Sequence, residues 1–258
     1  MISTAMFLVL IAIILFLLYK YLDTENFINQ PKKNVNFLSI QETQEFLDSD
    51  PDFYIANLSP TDLYARQSKT SSDYKTKAVS SAAEIPDPLK LKISKAVQAA
   101  NKFFSKLQIK GIECSKINDI PWIIAYTSGN AYEDGLPHTR GGIIFLSDSV
   151  DETDQNLLRV LIHEKVHLYT RIYPEETSYY LESNGYIKWK QRTGQPRVRA
   201  NPDLDNWIYI DPVSQKPMVA YYSSDKPYNI SDVILSTPSA EHPYELLAYK
   251  IETLIKGI

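Results

Sequence analysis

Cysteine is almost absent: Cys114 stands alone among 258 residues, so no intrachain disulfide can form. A chain of this length can build a core without such staples, and their lack argues against a heavily oxidising extracellular habitat. An excess of positive charge is missing too. With 27 Lys and Arg against 31 Asp and Glu, there is no basic footprint for nucleic acid, which is not an expected partner. Internal repeats and low-complexity tracts are also missing. One sizeable domain with an appendage, or two small domains, is therefore expected. Histidine is scarce, with four in the chain, and two of them stand four residues apart.

Long hydrophobic runs are absent except at the start. Residues 2–22 read ISTAMFLVLIAIILFLLYKYL, and residues 5–19 carry no charged side chain. About 20 residues at a helical rise span the hydrocarbon core, with Tyr19, Lys20 and Tyr21 placed as interfacial anchors. A cleaved signal peptide would carry Lys or Arg before the apolar run and an Ala-x-Ala-like site after it, and neither is present. Residues 1–22 are thus expected to be a single-pass transmembrane anchor. Lys20, Lys32 and Lys33 on its C-terminal flank favour a cytosolic position for the remainder of the chain.

Residues 23–84 are expected to be a linker with short helices. Ser39-Ile-Gln-Glu42 is a capping box, and Ser59-Pro60 places a capping serine before a proline at the first helical position. Residues 67–83, rich in Ser, Thr and Lys, predict an exposed loop. In residues 85–258 the spacing of Leu89, Ile93, Val97, Ala100, Phe104 and Leu107 predicts a backing helix over 87–107. Apolar runs at 122–127 and 142–147 predict strands, and the turn-rich stretch between them predicts a loop containing His138. Helices are expected over 152–172, 175–184 and 243–257, and a hairpin pairing 207–210 with 218–222. The order of elements is α+β. Asn201, Asp203 and Asp205 lie close in sequence, but no Gly-containing loop with calcium-ligand spacing accompanies them.

The chemistry is concentrated in Leu161-Ile-His-Glu-Lys-Val-His-Leu168. On a helix, His163 and His167 occupy one face a turn apart, where both can ligate one Zn²⁺. Glu164 lies about 100° round from His163, beside the metal, in position to act as general base on a water that the metal acidifies. Lys165, about 200° from His163, is expected to leave on the solvent face.

His163-Glu-Lys-Val-His167 on a helix after a short strand resembles the HExxH zinc metallopeptidases, the zincins. The metzincin extension is excluded, since Thr170 and Tyr173 stand where that branch has Gly and His. The resemblance therefore implies a gluzincin-like site, in which a glutamate on a later helix completes the ligand set. Glu175, Glu176, Glu182, Glu241 and Glu245 are candidates. Glu245 is favoured because Pro243 starts its helix and puts it in the first turn, with Glu182 on a nearer helix as the alternative. The resemblance further implies one Zn²⁺ per chain, a peptide or protein substrate, and a zincin-like catalytic domain over 85–258. It also implies that the strand over 142–147 runs along the cleft and pairs with substrate. The expected function is a membrane-anchored zinc endopeptidase. The alternative is a zincin-fold binding or structural protein whose site is too closed or too weak to turn over.

Overall fold

The computed structural model describes residues 35–150 and 153–255. The anchor expected over 1–22 lies outside them, and no helix among the described residues is long and apolar enough to cross a membrane. The fold is α+β. A four-stranded sheet has the order β1-β2-β4-β3, with β1 Asn36–Phe37, β2 Ile123–Thr127, β3 His138–Arg140 and β4 Ile143–Ser147. The first three in that order run parallel, and β3 is antiparallel to β4 with Thr139 opposite Ile144.

Side chains alternate across a strand, so β2 and β4 supply two cores. Ile124, Tyr126, Ile144 and Leu146 face one core, and Ile123, Ala125, Ile143 and Phe145 face the other. The first is filled by α4 (Asp87–Phe104), α6 (Asp154–Ile172) and α8 (Pro243–Glu252). Ile93, Val97, Ala100 and Phe104 of α4 lie buried at helical spacing. The second face is covered by α1 (Ile40–Ser49), α2 (Pro60–Ala65) and α3 (Ser71–Ser81), through Leu47, Leu63, Tyr74 and Ala78. Residues expected to be a lead-in are thus one layer of the structure.

Both capping serines act as expected, each accepting from the backbone three residues on. The loop expected over 67–83 is instead largely α3. Thr70 and Asp73 form a capping box there, and Tyr74, Ala78 and Ser81 make a buried stripe among polar residues. The loop expected between the two central strands contains β3, whose residues are polar in sequence and buried in the sheet. β3 pairs with β4 over Ile143–Phe145 and β2 pairs with it over Ile144–Ser147, so the middle of that strand is paired on both sides and offers substrate no edge. A compact α5 (Cys114–Asp119) precedes β2, and α7 (Pro174–Ser183) follows α6 directly.

The remaining strands are β5 Ile187–Gln191, β6 Trp207–Ile210, β7 Pro217–Met218, β8 Ala220–Tyr222 and β9 Val233–Leu235. The expected hairpin is half realised: β6 pairs with β7, but β8 pairs with β9. Met218, Val219 and Ala220 are buried in succession. A half-buried strand would alternate instead, so the chain bends there.

Lys165 is the main correction. It does not reach solvent and is fully buried, because α6 is the central helix and packs neighbours on nearly every side. Its ammonium donates to the carbonyl of Ile120 and, at 3.3 Å, to that of Pro121. These carbonyls lie just past the end of α5, where a cation complements the helix dipole. The Trp122 ring centroid lies 4.0 Å from Nζ. Burial holds the Lys165 pKa well below the ordinary lysine value.

Candidate metal centre

Two helices build the centre. α6 brings His163 and His167 to one face, and α8 lies along that face with Glu245 in its first turn. Pro243 fixes the start of α8. His242 before it is extended, and its Nδ1 accepts from the Tyr244 backbone at 3.2 Å. That cap sets the rotation of α8 and so the direction of Glu245.

His163, His167 and Glu245 form a group that could hold a metal ion, with one ligand atom from each lying within 4.8 Å of the others. The two Nε2 atoms are 3.0 Å apart. Glu245 Oε2 lies 3.4 Å from His163 Nε2, and Oε1 lies 3.7 Å from His167 Nε2. Ligand atoms about 2.0–2.1 Å from a tetrahedral ion stand about 3.3 Å from one another, so the three fit one small cation. The other candidate glutamates are elsewhere. Glu175 and Glu182 are exposed, Glu176 pairs with Lys116 and accepts from Tyr169, and Glu241 pairs with Arg199.

Glu252 was not among the residues expected from the sequence. Seven residues after Glu245 on the same face of α8, it accepts from His163 Nδ1 at 3.0 Å. This carboxylate orients the ring so that Nε2 faces His167 and Glu245, the arrangement that outer carboxylates give to metal-bound histidines. The spacing of the two glutamates carried that signal. Asn201 holds Glu245 from behind, its amide donating to Glu245 Oε1 at 3.3 Å and to Glu241 Oε1 at 2.8 Å.

Glu164 is buried beside the trio, and its Oε2 has no hydrogen-bond partner; nor has Nδ1 of His167. Burial first, and then the Asp203 carboxylate, push the Glu164 carboxyl well above its ordinary range. Burial alone would lower the His163 pKa, but bonds to Glu245 and Glu252 outweigh it and lift it to about 11. Burial would raise that of Glu245, yet the two imidazoles bring it down to about 2. Burial lowers that of His167. The centre thus concentrates negative charge around the two rings, where a cation could be held.

A cleft of ≈ 590 Å³ opens on this group, with Leu136, His138, Val160, Leu235 and Tyr249 in its walls. His138, expected in a loop, lies buried on β3, stacked on Phe145 with ring centroids 5.1 Å apart, and its Nδ1 donates to the Leu136 carbonyl at 2.8 Å. The outward edge of β3 beside the cleft is closed by side chains. The Thr139 N–H donates to Asp203 Oδ1 at 2.6 Å, and its carbonyl accepts from Arg171 at 3.4 Å. Asp205 is likewise committed, accepting from Tyr209 and Tyr244. No protein-family model, curated protein or solved structure matches the chain.

Proposed function

We propose that this chain is a zinc-dependent endopeptidase held at a membrane by its N-terminal run, with Glu164 as general base. The observation that carries the reading is the convergence of two imidazoles and a carboxylate, beside a buried carboxylate with an unpartnered oxygen, at a cleft that His163, Glu164 and Glu245 line. Structural ion clusters seldom leave such an oxygen unsatisfied. His163, His167 and Glu245 would hold one Zn²⁺, in keeping with their mixed nitrogen and oxygen donors. Bound there, a divalent cation supplies Lewis acidity, polarising a carbonyl and acidifying water.

The chain's own groups do the rest. Glu164 takes a proton from the attacking water and returns it to the departing amine. Its buried, unpartnered Oε2 is free to accept that proton. Glu252 and Asn201 keep His163 and Glu245 in place. The anchor and the cytosolic position of the domain rest on residues 5–19 and on the flanking lysines.

A second reading has its own support. The capped edge of β3 would suit a zincin-fold protein that binds metal without turnover. The test is hydrolysis of unfolded casein by the zinc-loaded full chain in detergent, beside Glu164→Gln. Glu164→Gln is expected to retain zinc and to lose about 10²- to 10⁴-fold in rate. Equal cleavage by both removes Glu164 as base, and zinc without cleavage in either supports the second reading.

A further inference from the structure

With Thr139 closed, a peptide entering the cleft must find main-chain partners elsewhere. The β8–β9 hairpin provides them. The carbonyl of Ala220 accepts from Arg199 N, and Tyr222 N donates to the carbonyl of Arg197. Both residues of β8 therefore face away from β9, and Tyr221 faces it. Its partner across the ladder is Ile234. Main-chain groups alternate sides along a strand, so Ile234 points toward β8 while Val233 and Leu235 point outward. The flanking bonds agree: the carbonyl of Asp232 and the N–H of Ser236, each two residues from Ile234, both reach toward the β8 side. Val233 N–H bonds locally to the carbonyl of Ser231. That leaves the carbonyl of Val233 and both main-chain groups of Leu235 on an edge to which no described residue is paired.

This edge borders the metal cleft, since Leu235 lines the same cavity as His163, Glu164 and Glu245. It is also accessible, with Ile234 63% and Leu235 44% exposed. Apolar side chains on an unpaired, accessible strand are what natural sheets avoid unless something pairs there. We infer that an extended, apolar peptide segment adds to β9 as a third strand, hydrogen-bonded to Leu235 and Val233, and so runs its main chain along the metal cleft. The inference rests on the peptidase reading for the nature of the ligand. It assigns substrate docking to β9 and leaves β3 as a closed wall.

Leu235→Pro deletes the outward N–H and puts the ring where the added strand would lie. Proline is tolerated at an edge position whose N–H faces outward, and retained zinc and an unchanged thermal midpoint check that the fold persists. The probe is fluorescein-labelled, reduced and alkylated insulin B chain, an extended peptide with many apolar residues. Its binding to the zinc-loaded full chain in detergent is read by anisotropy, with Glu164→Gln in every variant to prevent cleavage. Leu235→Pro should weaken binding by about tenfold or more, through one lost hydrogen bond and a steric block. Leu235→Val keeps the donor and should stay within about threefold. Equal binding with and without the proline, or no binding at all, overturns the assignment. Should Leu235→Pro unfold the chain, an insulin B chain N-methylated at alternate residues replaces it; its undiminished binding would overturn the assignment equally. Cleavage by the Glu164 protein is scored apart, so binding without cleavage removes the peptidase reading and leaves β9 in place.

Discussion

Two networks of buried charge reach the same cleft, one through Glu133 and the other through His163 and Glu164, and they differ in how completely they are satisfied. In the first, Arg66 grips Glu133 with two bonds of 2.9 and 2.7 Å, and Tyr74 donates to the same carboxylate at 2.6 Å. Arg66 also donates to Tyr54 and to the Ala200 carbonyl, while Tyr222 and the backbone of Ala200 donate to Asp62. None of these groups lacks a partner. In the second, around His163 and His167, Glu164 Oε2 and His167 Nδ1 have none. Completely paired charge ties three distant parts of the chain together, whereas incompletely paired charge marks where something else must bind.

The sharpest way to break that contrast is to neutralise one carboxylate in each network. Glu133→Gln leaves Arg66 buried beside a neutral amide and should cost about 3–5 kcal/mol of folding stability, measured by urea unfolding. Glu164→Gln should cost less than about 1 kcal/mol in the metal-free protein, because its buried Oε2 has no hydrogen-bond partner to lose. Equal losses would erase the distinction. Acid provides a second handle on the first network. Burial opposes ionisation of Glu133, but Arg66 more than compensates and lowers its pKa from 4.5 to about 2. A depressed carboxylate contributes its stability above the unfolded value and loses it as pH falls through the folded one. The Glu133 contribution should therefore be complete above pH 4.5 and fade toward pH 2, and the Glu133→Gln protein should lack that part of the acid slope.

A smaller effect is expected at Glu252, which touches His163 but neither His167 nor Glu245. Glu252→Gln should weaken zinc affinity by about 10- to 100-fold while leaving one site per chain, read by competition with a chromogenic chelator. Unchanged affinity would show that the ring is fixed by packing alone. Lys165→Met should cost about 1–2 kcal/mol of stability from two carbonyls left without a donor, with no change in zinc content. Loss of zinc there would mean that the buried ammonium positions the metal helix and does more than cap α5.

Much of the centre was legible because helices repeat simply. Four residues separate the two histidines, and a proline two residues before Glu245 sets the start of α8, so their sharing of a site follows from periodicity and chain direction. Glu252 obeyed the same periodicity, but nothing in the sequence says which residue on α8 faces a histidine across the interface. Lys165 departs from expectation because helical angle gives a direction without saying whether solvent lies there; α4 and α5 occupy the side that Lys165 faces. The strand β3 hid for a related reason. Its His-Thr-Arg sequence is polar, and it is buried only because Phe145 stacks on His138 while Asp50 and Tyr132 hold Arg140. The α3 helix, by contrast, was written locally in Thr70-x-x-Asp73 and in the spacing of Tyr74 and Ala78.

Metal content of the purified full chain tests the centre most directly. Metal analysis should find roughly one Zn²⁺ per chain, and His163→Ala, His167→Ala and Glu245→Gln should each lower that occupancy sharply, while Glu182→Gln keeps it. Full zinc retention in both histidine variants would contradict a metal site between α6 and α8.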